Sequence, residues 1–309
     1  MPSLTILRGG MLTTVQDLGR WGLQHLGVPV AGPMDWYSHR LANRLVGNDD
    51  SAAAIEMTLL GPELTSDDDV LCAVTGAAME VAVGDDVVPM HTPFRLPRGR
   101  RLRFRMIRPG ARGTLAVSGG IDMAPVLGSR ATSLVSHVGP FGGRALAAGD
   151  VLGIGVPPVS GLGGGLPLPL PQGGARLRVM LGPHVSGFTA EAVEAFTQSR
   201  YAISPQSNRM GYRLEGAPLQ VNAADAGDML SDATPVGSIQ VPASGQPILL
   251  MADRQTTGGY PKIATMITAD LPLAGQLAPG DWVEFVPVSR AVALDALRHR
   301  VAALSAAPR

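Results

Sequence analysis

Two short segments decide the fold of this chain: LAAGDVL at residues 146–152 and LAPGDWV at residues 277–283. Each has Leu-Ala, one variable residue and Gly-Asp, followed by two apolar residues. A second related pair precedes them, TGAAMEV at residues 75–81 and EGAPLQV at residues 215–221. Both pairs keep the same order at similar offsets. This weak internal repeat predicts two related β-rich domains rather than one continuous sheet.

The residues around these repeats predict many short strands. RLRFRMI (101–107) alternates apolar residues with arginine, as a half-buried strand does. VLCAVTG (70–76), RLRVML (176–181) and PILLMAD (247–253) are short apolar runs bounded by turn residues. The 39 glycines and 26 prolines fit many turns. The fold is therefore predicted to be mainly β, with closed or nearly closed barrels as its natural architecture.

Three helices are predicted among these strands. The first lies in GPMDWYSHRLANRLVGN (32–48), with Pro33 at its first position, and the second runs from about Phe188 to Gln198. The third lies near the end of the given sequence. We expect its apolar seam to pack on its own domain; the seam consists of Leu294, Leu297, Val301 and Leu304.

A Gly/Pro-rich segment divides the chain. SGLGGGLPLPLPQGG (160–174) has no periodic pattern and is typical of a linker. We therefore predict an N-terminal β-barrel domain at 1–159 and a C-terminal β-barrel domain at 175–309.

The composition excludes several classes of protein. The formal net charge is zero and 45% of residues are hydrophobic, so the chain can bury a large core and is not a bulk nucleic-acid binder. Eight arginines in residues 95–112 are interpreted as a solvated strand face, or alternatively as a docking surface. Cys72 is the only cysteine, no apolar run reaches membrane-spanning length, and the first residues lack a signal core. We expect a cytoplasmic protein with no membrane or nucleic-acid partner.

The one lysine of the chain stands in DRQTTGGYPK (253–262). All other long cationic side chains are arginine, although lysine alone offers a compact, deprotonatable ammonium. Lys262 is therefore a candidate catalytic residue. Because it follows Pro261, it does not belong to a phosphate-binding P-loop. The six histidines are far apart in sequence, and no metal site is predicted.

Polar loops supply the other candidate residues. Simple turns do not need as many hydrogen-bonding groups as SPQSNRMGYRLEG (204–216) and DRQTTGGYPK contain. Arg209 is predicted to bind a substrate carboxylate, and Asp253 to set the charge state of Lys262. The hypothesis is a small polar amide substrate, with an oxyanion held by Gln255, Thr256, Thr257, Gly258 and Gly259.

The same loops resemble a known family over almost the whole chain. The motifs that carry the resemblance are GMLTTVQDLGRWG, GPMD, LANRLVGN, GSRATSLVSHVGPFGGRAL, SNRMGYRLEG, GSIQVPASGQPILLMADRQTTGGYPK and ADLPLAGQLAPGD. They are similar to the biotin-dependent carboxyltransferase family, also called allophanate hydrolase subunit 2. Membership implies two cyclophilin-like β-barrel domains with a few helices.

The resemblance also implies an activity. Free-standing bacterial members act as the C subunit of an ATP-dependent 5-oxoprolinase, which opens 5-oxoproline to glutamate together with the A and B subunits. ATP would be bound by that complex, at a site the sequence does not locate. A carboxyltransferase that uses carboxyl-biotin on a separate carrier is the alternative, and a non-enzymatic antagonist of a kinase inhibitor is the second alternative.

Family positions map onto residues of both predicted domains. The resemblance assigns proton handling to Lys262 and Asp253, and the substrate anion to Arg209. Substrate orientation is implied for further residues of the C-terminal half: Asn208, Gln240, Gln255, Thr257 and Tyr260. Four residues of the N-terminal half are implied as contributors: Thr14, Gln16, Asp17 and Asp35.

Overall fold

The computed structural model describes residues 1–106, 109–158, 163–222 and 229–306. It divides into two compact units. Unit 1 consists of Met1–Arg20, Ala31–Leu170 and Val301–Arg309, and unit 2 of Trp21–Val30 and Pro171–Arg300.

The predicted linker, 160–174, is only partly covered by the described residues. Its first three residues and the proposed domain end at residue 159 lie outside them. Residues 163–173 contain no helix or strand, and Gly174 begins a strand of unit 2.

Unit 1 is built from antiparallel strands in two sheets. One sheet has six strands in the order β11-β1-β4-β9-β6-β7, and the other has five in the order β2-β3-β10-β5-β8. The strands of unit 1 within the described residues are β1 (Ser3–Arg8), β2 (Leu12–Gln16), β3 (Ala54–Thr58), β4 (Glu63–Ser66), β5 (Val70–Gly76), β6 (Met79–Val83), β7 (Asp86–Val88), β8 (Pro93–Leu96), β9 (Arg101–Met106), β10 (Arg112–Val117) and β11 (Val151–Gly153).

Strand β9 has one buried and one exposed face, as its alternating sequence predicts. Leu102 and Phe104 are buried in the unit 1 core, whereas the arginines between them are exposed. Arg101 pairs with Glu63 at 3.1 Å and Arg103 contacts Asp85 at 3.5 Å. The arginines of this strand therefore form the solvated, ion-paired face expected for a half-buried strand.

Unit 2 contains a closed barrel of seven strands in the order β12-β19-β16-β17-β14-β13-β20, in which β20 returns parallel to β12. Two short strands, β15 and β18, pair with each other. The described strands of this unit are β12 (Gly174–Leu181), β13 (Tyr201–Ile203), β14 (Gly211–Glu215), β15 (Asp232–Ala233), β16 (Ser238–Gln240), β17 (Ile248–Leu250), β18 (Thr257–Gly258), β19 (Lys262–Met266) and β20 (Trp282–Pro287). The prediction of a mainly β fold is confirmed. Of the two predicted barrels, the described residues of unit 2 form a closed one, whereas those of unit 1 form two sheets.

The described helices are few, as predicted: α1 (Trp36–Leu45), α2 (Pro140–Gly143), α3 (Ala190–Gln198), α4 (Leu271–Gly275) and α5 (Arg290–Ala303). The first begins three residues after Pro33, because the Asp35 carboxylate accepts the Ser38 backbone N–H at 2.9 Å and so caps the helix there. Phe188 likewise precedes its helix, which Thr189 caps through the Ala192 N–H.

The seam predicted for the last helix is not uniformly buried. Leu304, just beyond α5, is fully buried in unit 1 beside Leu41, whereas Leu294 and Val301 are 44% and 43% exposed. No residue of α5 itself is buried.

The two repeated Gly-Asp segments form the same turn in both units. In unit 1 the Asp150 carboxylate accepts the Ala147 N–H at 2.8 Å, and in unit 2 Asp281 accepts the Ala278 N–H at 2.8 Å. Gly149 and Gly280 have positive φ (93° and 88°), and each donates its N–H to an isoleucine carbonyl at 2.8 Å. Each turn leads into a strand, β11 or β20. The duplication seen in the sequence is therefore a duplication of local structure.

One buried histidine makes unit 1 sensitive to acid. His39 on α1 is 1% exposed and lies 3.2 Å from the Asn43 side-chain nitrogen. Burial lowers the pKa of His39 to about 4. Since the unfolded chain has a histidine pKa near 6.5, the native state is relatively stabilised above that pH. This stabilisation is lost as the pH falls from about 6.5 toward 4.

We expect wild type to lose roughly 2 kcal/mol of unfolding free energy between pH 7 and pH 5 through His39, because each pH unit in this window contributes up to about 1.4 kcal/mol. His39→Gln cannot take up this proton and should show a correspondingly smaller loss. Urea unfolding of both proteins at the two pH values measures the difference. Equal losses in the two proteins would contradict the assignment.

Candidate functional site

The predicted site residues are divided between the two units. Thr14, Gln16, Asp17 and Asp35 belong to unit 1, and all the others belong to unit 2.

The four residues of unit 1 make structural hydrogen bonds. Gln16 is fully buried, and its Nε2 donates to the Thr14 hydroxyl and to the Thr132 carbonyl, both at 3.0 Å. Asp17 accepts the Ser129 hydroxyl at 2.6 Å and so ties the end of β2 to the GSRATS loop. Asp35 caps α1. Their roles in binding a substrate stay predictions.

In unit 2 the site is organised around Lys262, the first residue of β19. Lys262 is 2% exposed, and its Nζ donates to Asp232 Oδ2 at 2.7 Å and to the Ala233 carbonyl at 2.9 Å. The Lys262 ammonium and the Ala233 N–H lower the pKa of Asp232, which therefore remains a carboxylate. An ammonium has three donors, so with these two partners among the described residues one N–H remains for a ligand.

Two glutamine amides are connected to the strand position of Lys262. Gln240 ends β16 and is the register partner of Lys262, next to an irregularity in the β16–β19 ladder. Such bulges re-aim side chains at the ends of strands. The Gln240 Oε1 accepts Gln255 Nε2 at 3.2 Å, and its Nε2 lies 3.5 Å from the Tyr260 carbonyl. The two amides are thereby oriented relative to each other.

Gly258 provides the space that these amides occupy. A Cβ at this position would lie 2.7 Å from Gln240 Nε2 and 3.3 Å from both Gln255 Nε2 and Thr234 Cγ2. Any larger residue would displace the Gln240 amide. By contrast, a Cβ on the neighbouring Gly259 would come no closer than 3.4 Å to any atom outside its chain neighbours.

Residues 232–234 connect the site to a second buried cation. The Arg254 Nε donates to the Thr234 carbonyl at 2.7 Å, one residue after the carbonyl that holds Lys262. The Thr234 N–H donates to the Thr256 carbonyl at 3.0 Å, and its hydroxyl donates to the Gln255 carbonyl. The segment is thus tied at successive residues to 254–256.

The carboxylate expected beside Lys262 was Asp253, and this prediction of its partner is wrong. Asp253 instead accepts both Nε and Nη2 of Arg209, each at 3.0 Å, and both side chains are almost fully buried. A two-pronged pair of this kind satisfies the carboxylate internally. Nε and Nη2 of Arg209 therefore both donate to a carboxylate of unit 2 itself.

Other predicted residues support the loops rather than the amide pair. The Asn208 side chain accepts the Met210 N–H at 2.8 Å and shapes the turn that carries Arg209. Thr257 is exposed and lies with Gly258 in β18, while Thr256 contributes its carbonyl to Thr234. Tyr260 is 49% exposed and lines a cavity of about 560 Å³.

Sequence reasoning missed three residues that touch Lys262 or its partners. Asp232 and Thr234 follow a stretch of sequence that has no periodic pattern, and His184 lies 78 positions from Lys262 in the sequence. The His184 Nδ1 accepts the Lys262 backbone N–H at 3.1 Å. Burial and the nearby Lys262 lower the pKa of His184, which keeps it neutral. No local signal distinguishes these residues in the sequence.

The arrangement is suited to stabilising negative charge on a small oxygen. Lys262 is held in place by Asp232 and Ala233 before any ligand arrives, and the Gln240 amide is oriented by Gln255. Preoriented donors of this kind stabilise a developing oxyanion without rearrangement. Within the described residues, no cluster of three or more His, Cys, Asp or Glu forms a metal site. No described helix is long and apolar enough to cross a bilayer.

Removing Arg209 should be costly to the fold. Arg209→Met leaves the buried Asp253 carboxylate without its partner, so we expect a loss of about 3–5 kcal/mol in unfolding free energy at pH 7. The matched control is Arg95→Met, which breaks the exposed pair with Asp69 and should cost less than about 1 kcal/mol. Urea unfolding measures both, and equal costs would contradict the internal role of Arg209.

Comparison with known proteins places the chain in a family. A model of the carboxyltransferase domain, subdomain A and B, matches residues 26–287. The C subunit of 5-oxoprolinase from Escherichia coli (strain K12) is 42% identical over 301 residues, which covers 95% of this chain and 94% of that protein. The protein of the same name from Haemophilus influenzae is 37% identical over 277 residues, covering 89% and 88%.

A solved structure extends the comparison to the fold. The crystal structure of the K. lactis urea amidolyase matches with a TM-score of 0.91 at 32% identity. The match covers 98% of this chain but 20% of that protein. The family model, the two 5-oxoprolinase relatives and this structure agree, and they confirm the resemblance carried by the motifs. The chain belongs to the family of the carboxyltransferase domain, subdomain A and B.

Proposed function

We propose that this chain is the C subunit of an ATP-dependent 5-oxoprolinase and that, with the A and B subunits, it opens the lactam of 5-oxoproline to L-glutamate. The observation that carries the proposal is the buried Lys262 ammonium, which has one donor remaining and belongs to the residue paired in register with Gln240, a member of the Gln240–Gln255 amide pair. Two relatives named as the C subunit of 5-oxoprolinase support it, because each aligns over nearly all of its length.

The donors of unit 2 match what opening a lactam requires. Attack of water on the ring carbonyl carbon moves negative charge onto the carbonyl oxygen; the ring C–N bond then breaks, and the nitrogen takes up the proton that the water loses. Donors aimed at that oxygen lower the barrier. In the proposal, the remaining N–H of Lys262 and the Gln240 amide donate to it. Arginine would be a poor replacement for Lys262, because a planar fork cannot occupy the compact position between Asp232 and Ala233.

ATP supplies the free energy for opening the stable lactam by activating its amide oxygen. This chain has no P-loop motif, and the proposal assigns it no nucleotide site. Its own residues bind and orient the lactam while the complex binds ATP. We further propose a cytoplasmic location, where these three subunits assemble.

A second candidate function is carboxyl transfer. The match to urea amidolyase at a TM-score of 0.91 favours it. In that case the same donors would polarise a carboxyl group delivered by biotin on a separate carrier protein. The chain contains no biotin-accepting lysine between two methionines, since its one lysine follows Pro261.

The first test is ATP-dependent release of glutamate from 5-oxoproline by the co-expressed complex. Lys262→Arg should lower kcat by about 10²- to 10³-fold, the usual effect of removing an oxyanion donor. Arg213→Lys, at an exposed position of β14, is the matched control and should behave as wild type.

Each other outcome of this test has a definite meaning. Full activity in Lys262→Arg would leave the oxoprolinase function standing and remove the chemical role of the lysine. No glutamate from the wild-type complex would overturn the proposal. The same proteins would then be assayed with urea and carboxyl-biotin.

Gly258 tests the amide pair separately from Lys262. Gly258→Ala places a methyl group against the Gln240 amide, so we expect glutamate release to fall about 10- to 100-fold, as for a misplaced catalytic group. The melting temperature should change little, because the clash is with the far end of a side chain. The exposed Arg213→Lys variant is again the control and should retain activity; equal activity in Gly258→Ala and this control would argue against the amide pair.

A further inference from the structure

Arg254 is a buried cation with no carboxylate partner among the described residues. It is 7% exposed, and the one hydrogen bond of its side chain to a described residue runs from Nε to the Thr234 carbonyl. Its Nη1 and Nη2 donate to no described residue. Burial lowers the pKa of Arg254 to about 10, so it is still charged at neutral pH. Buried charges in native proteins are normally paired, and an exception calls for an explanation.

The neighbouring charged groups that the structure describes do not pair with Arg254. Arg209 and Asp253 form a closed pair, and Lys262 and Asp232 form another. Counted over the described residues, these two pairs and Arg254 carry three positive and two negative charges, with His184 neutral, so the surplus charge is that of Arg254. A single bound anion would balance the cluster.

Geometry places this surplus charge at the candidate site. Arg254 and Lys262 bind the carbonyls of consecutive residues, Thr234 and Ala233. Gln255, the residue after Arg254, carries the amide that orients Gln240. A ligand whose carbonyl oxygen meets Lys262 thus has a second cationic group within the same segment, and a guanidinium edge accepts a planar carboxylate with two parallel bonds.

We infer that Arg254 binds the carboxylate of the lactam substrate through Nη1 and Nη2. This inference rests on the proposed function and deepens it, because it assigns a binding residue to the carboxylate. The carboxylate is the group that distinguishes 5-oxoproline from a neutral lactam. Arg209, expected from the sequence to bind this anion, is instead engaged by Asp253. Arg254 therefore sets specificity for an acidic lactam, while Lys262 and Gln240 act on the ring amide.

The experiment compares two ligands of the same shape on the assembled complex: 5-oxoproline and its neutral carboxamide, 5-oxoprolinamide. Binding is measured by calorimetry for wild type, Arg254→Gln and the exposed control Arg213→Gln. Wild type and Arg213→Gln should prefer the acid. Arg254→Gln should bind the acid about 10- to 100-fold more weakly while binding the amide as wild type does, because charge-assisted hydrogen bonds alone are lost.

Kinetics and a conservative variant separate binding from a purely structural role. In glutamate release, Arg254→Gln should raise KM for 5-oxoproline by a similar factor and change kcat much less. Arg254→Lys keeps the charge but loses the planar fork, so it should recover part of the affinity. An Arg254→Gln complex that binds both ligands as wild type does would overturn the inference. A wild-type complex that does not discriminate between acid and amide would also overturn it.

Failure of the inference and failure of the proposed function give different results. Glutamate release with an unchanged KM in Arg254→Gln would retain the oxoprolinase and reject the anion site. Arg254-dependent preference for the acid without any glutamate release would retain the anion site and reject the oxoprolinase. If Arg254→Gln does not fold, the Arg254→Lys comparison decides: affinity for the acid equal to wild type overturns the role of the fork.

Discussion

The candidate site depends on three consecutive residues, 232–234, which hold two buried cations. The Asp232 carboxylate and the Ala233 carbonyl fix the Lys262 ammonium, and the Thr234 carbonyl fixes the Arg254 guanidinium. Desolvating two cations is costly unless nearby polar groups replace their water. The backbone of this segment does so only while it remains tied to residues 254–258 through Thr234 and the β15–β18 pair. The β15–β18 pairing therefore also keeps the two cations hydrogen-bonded to this backbone.

Arg209 and Arg254 are both buried near the candidate site, but their hydrogen-bond partners differ. Arg209 faces Asp253 in a closed pair, which stabilises the loops and leaves both groups satisfied. Arg254 is almost equally buried but has a single carbonyl partner among the described residues. An unpaired buried charge lowers the free energy of unfolding. Proteins keep such a destabilising group mainly at sites that bind ligands. The contrast separates a group that maintains the fold from one suited to a ligand.

The duplicated turns show how one local structure can serve two different units. Gly149–Asp150 and Gly280–Asp281 make the same hydrogen bonds and lead into β11 and β20. Around the first turn the strands form two sheets, and around the second they close into a barrel. Two polar residues of unit 1 that were predicted as site residues also make hydrogen bonds within that unit, Gln16 through its Nε2 and Asp17 through its carboxylate. Those of unit 2 leave donors available at the amide pair.

The sequence alone determined the mainly β class, the duplicated turn and the strand faces of β9, because these depend on local periodicity, turn chemistry and residue type. It also singled out Lys262, Gln240 and Gln255 as candidate site residues, whose roles stay predictions. The partners were decided by the tertiary structure: Asp232 rather than Asp253 for Lys262, and Asp253 for Arg209. Asp232 lies 30 positions from Lys262, and the β15–β18 and β16–β19 pairings bring their segments together. Charge pairing depends on distances of a few ångströms between side chains, and spacing along the chain does not contain that information.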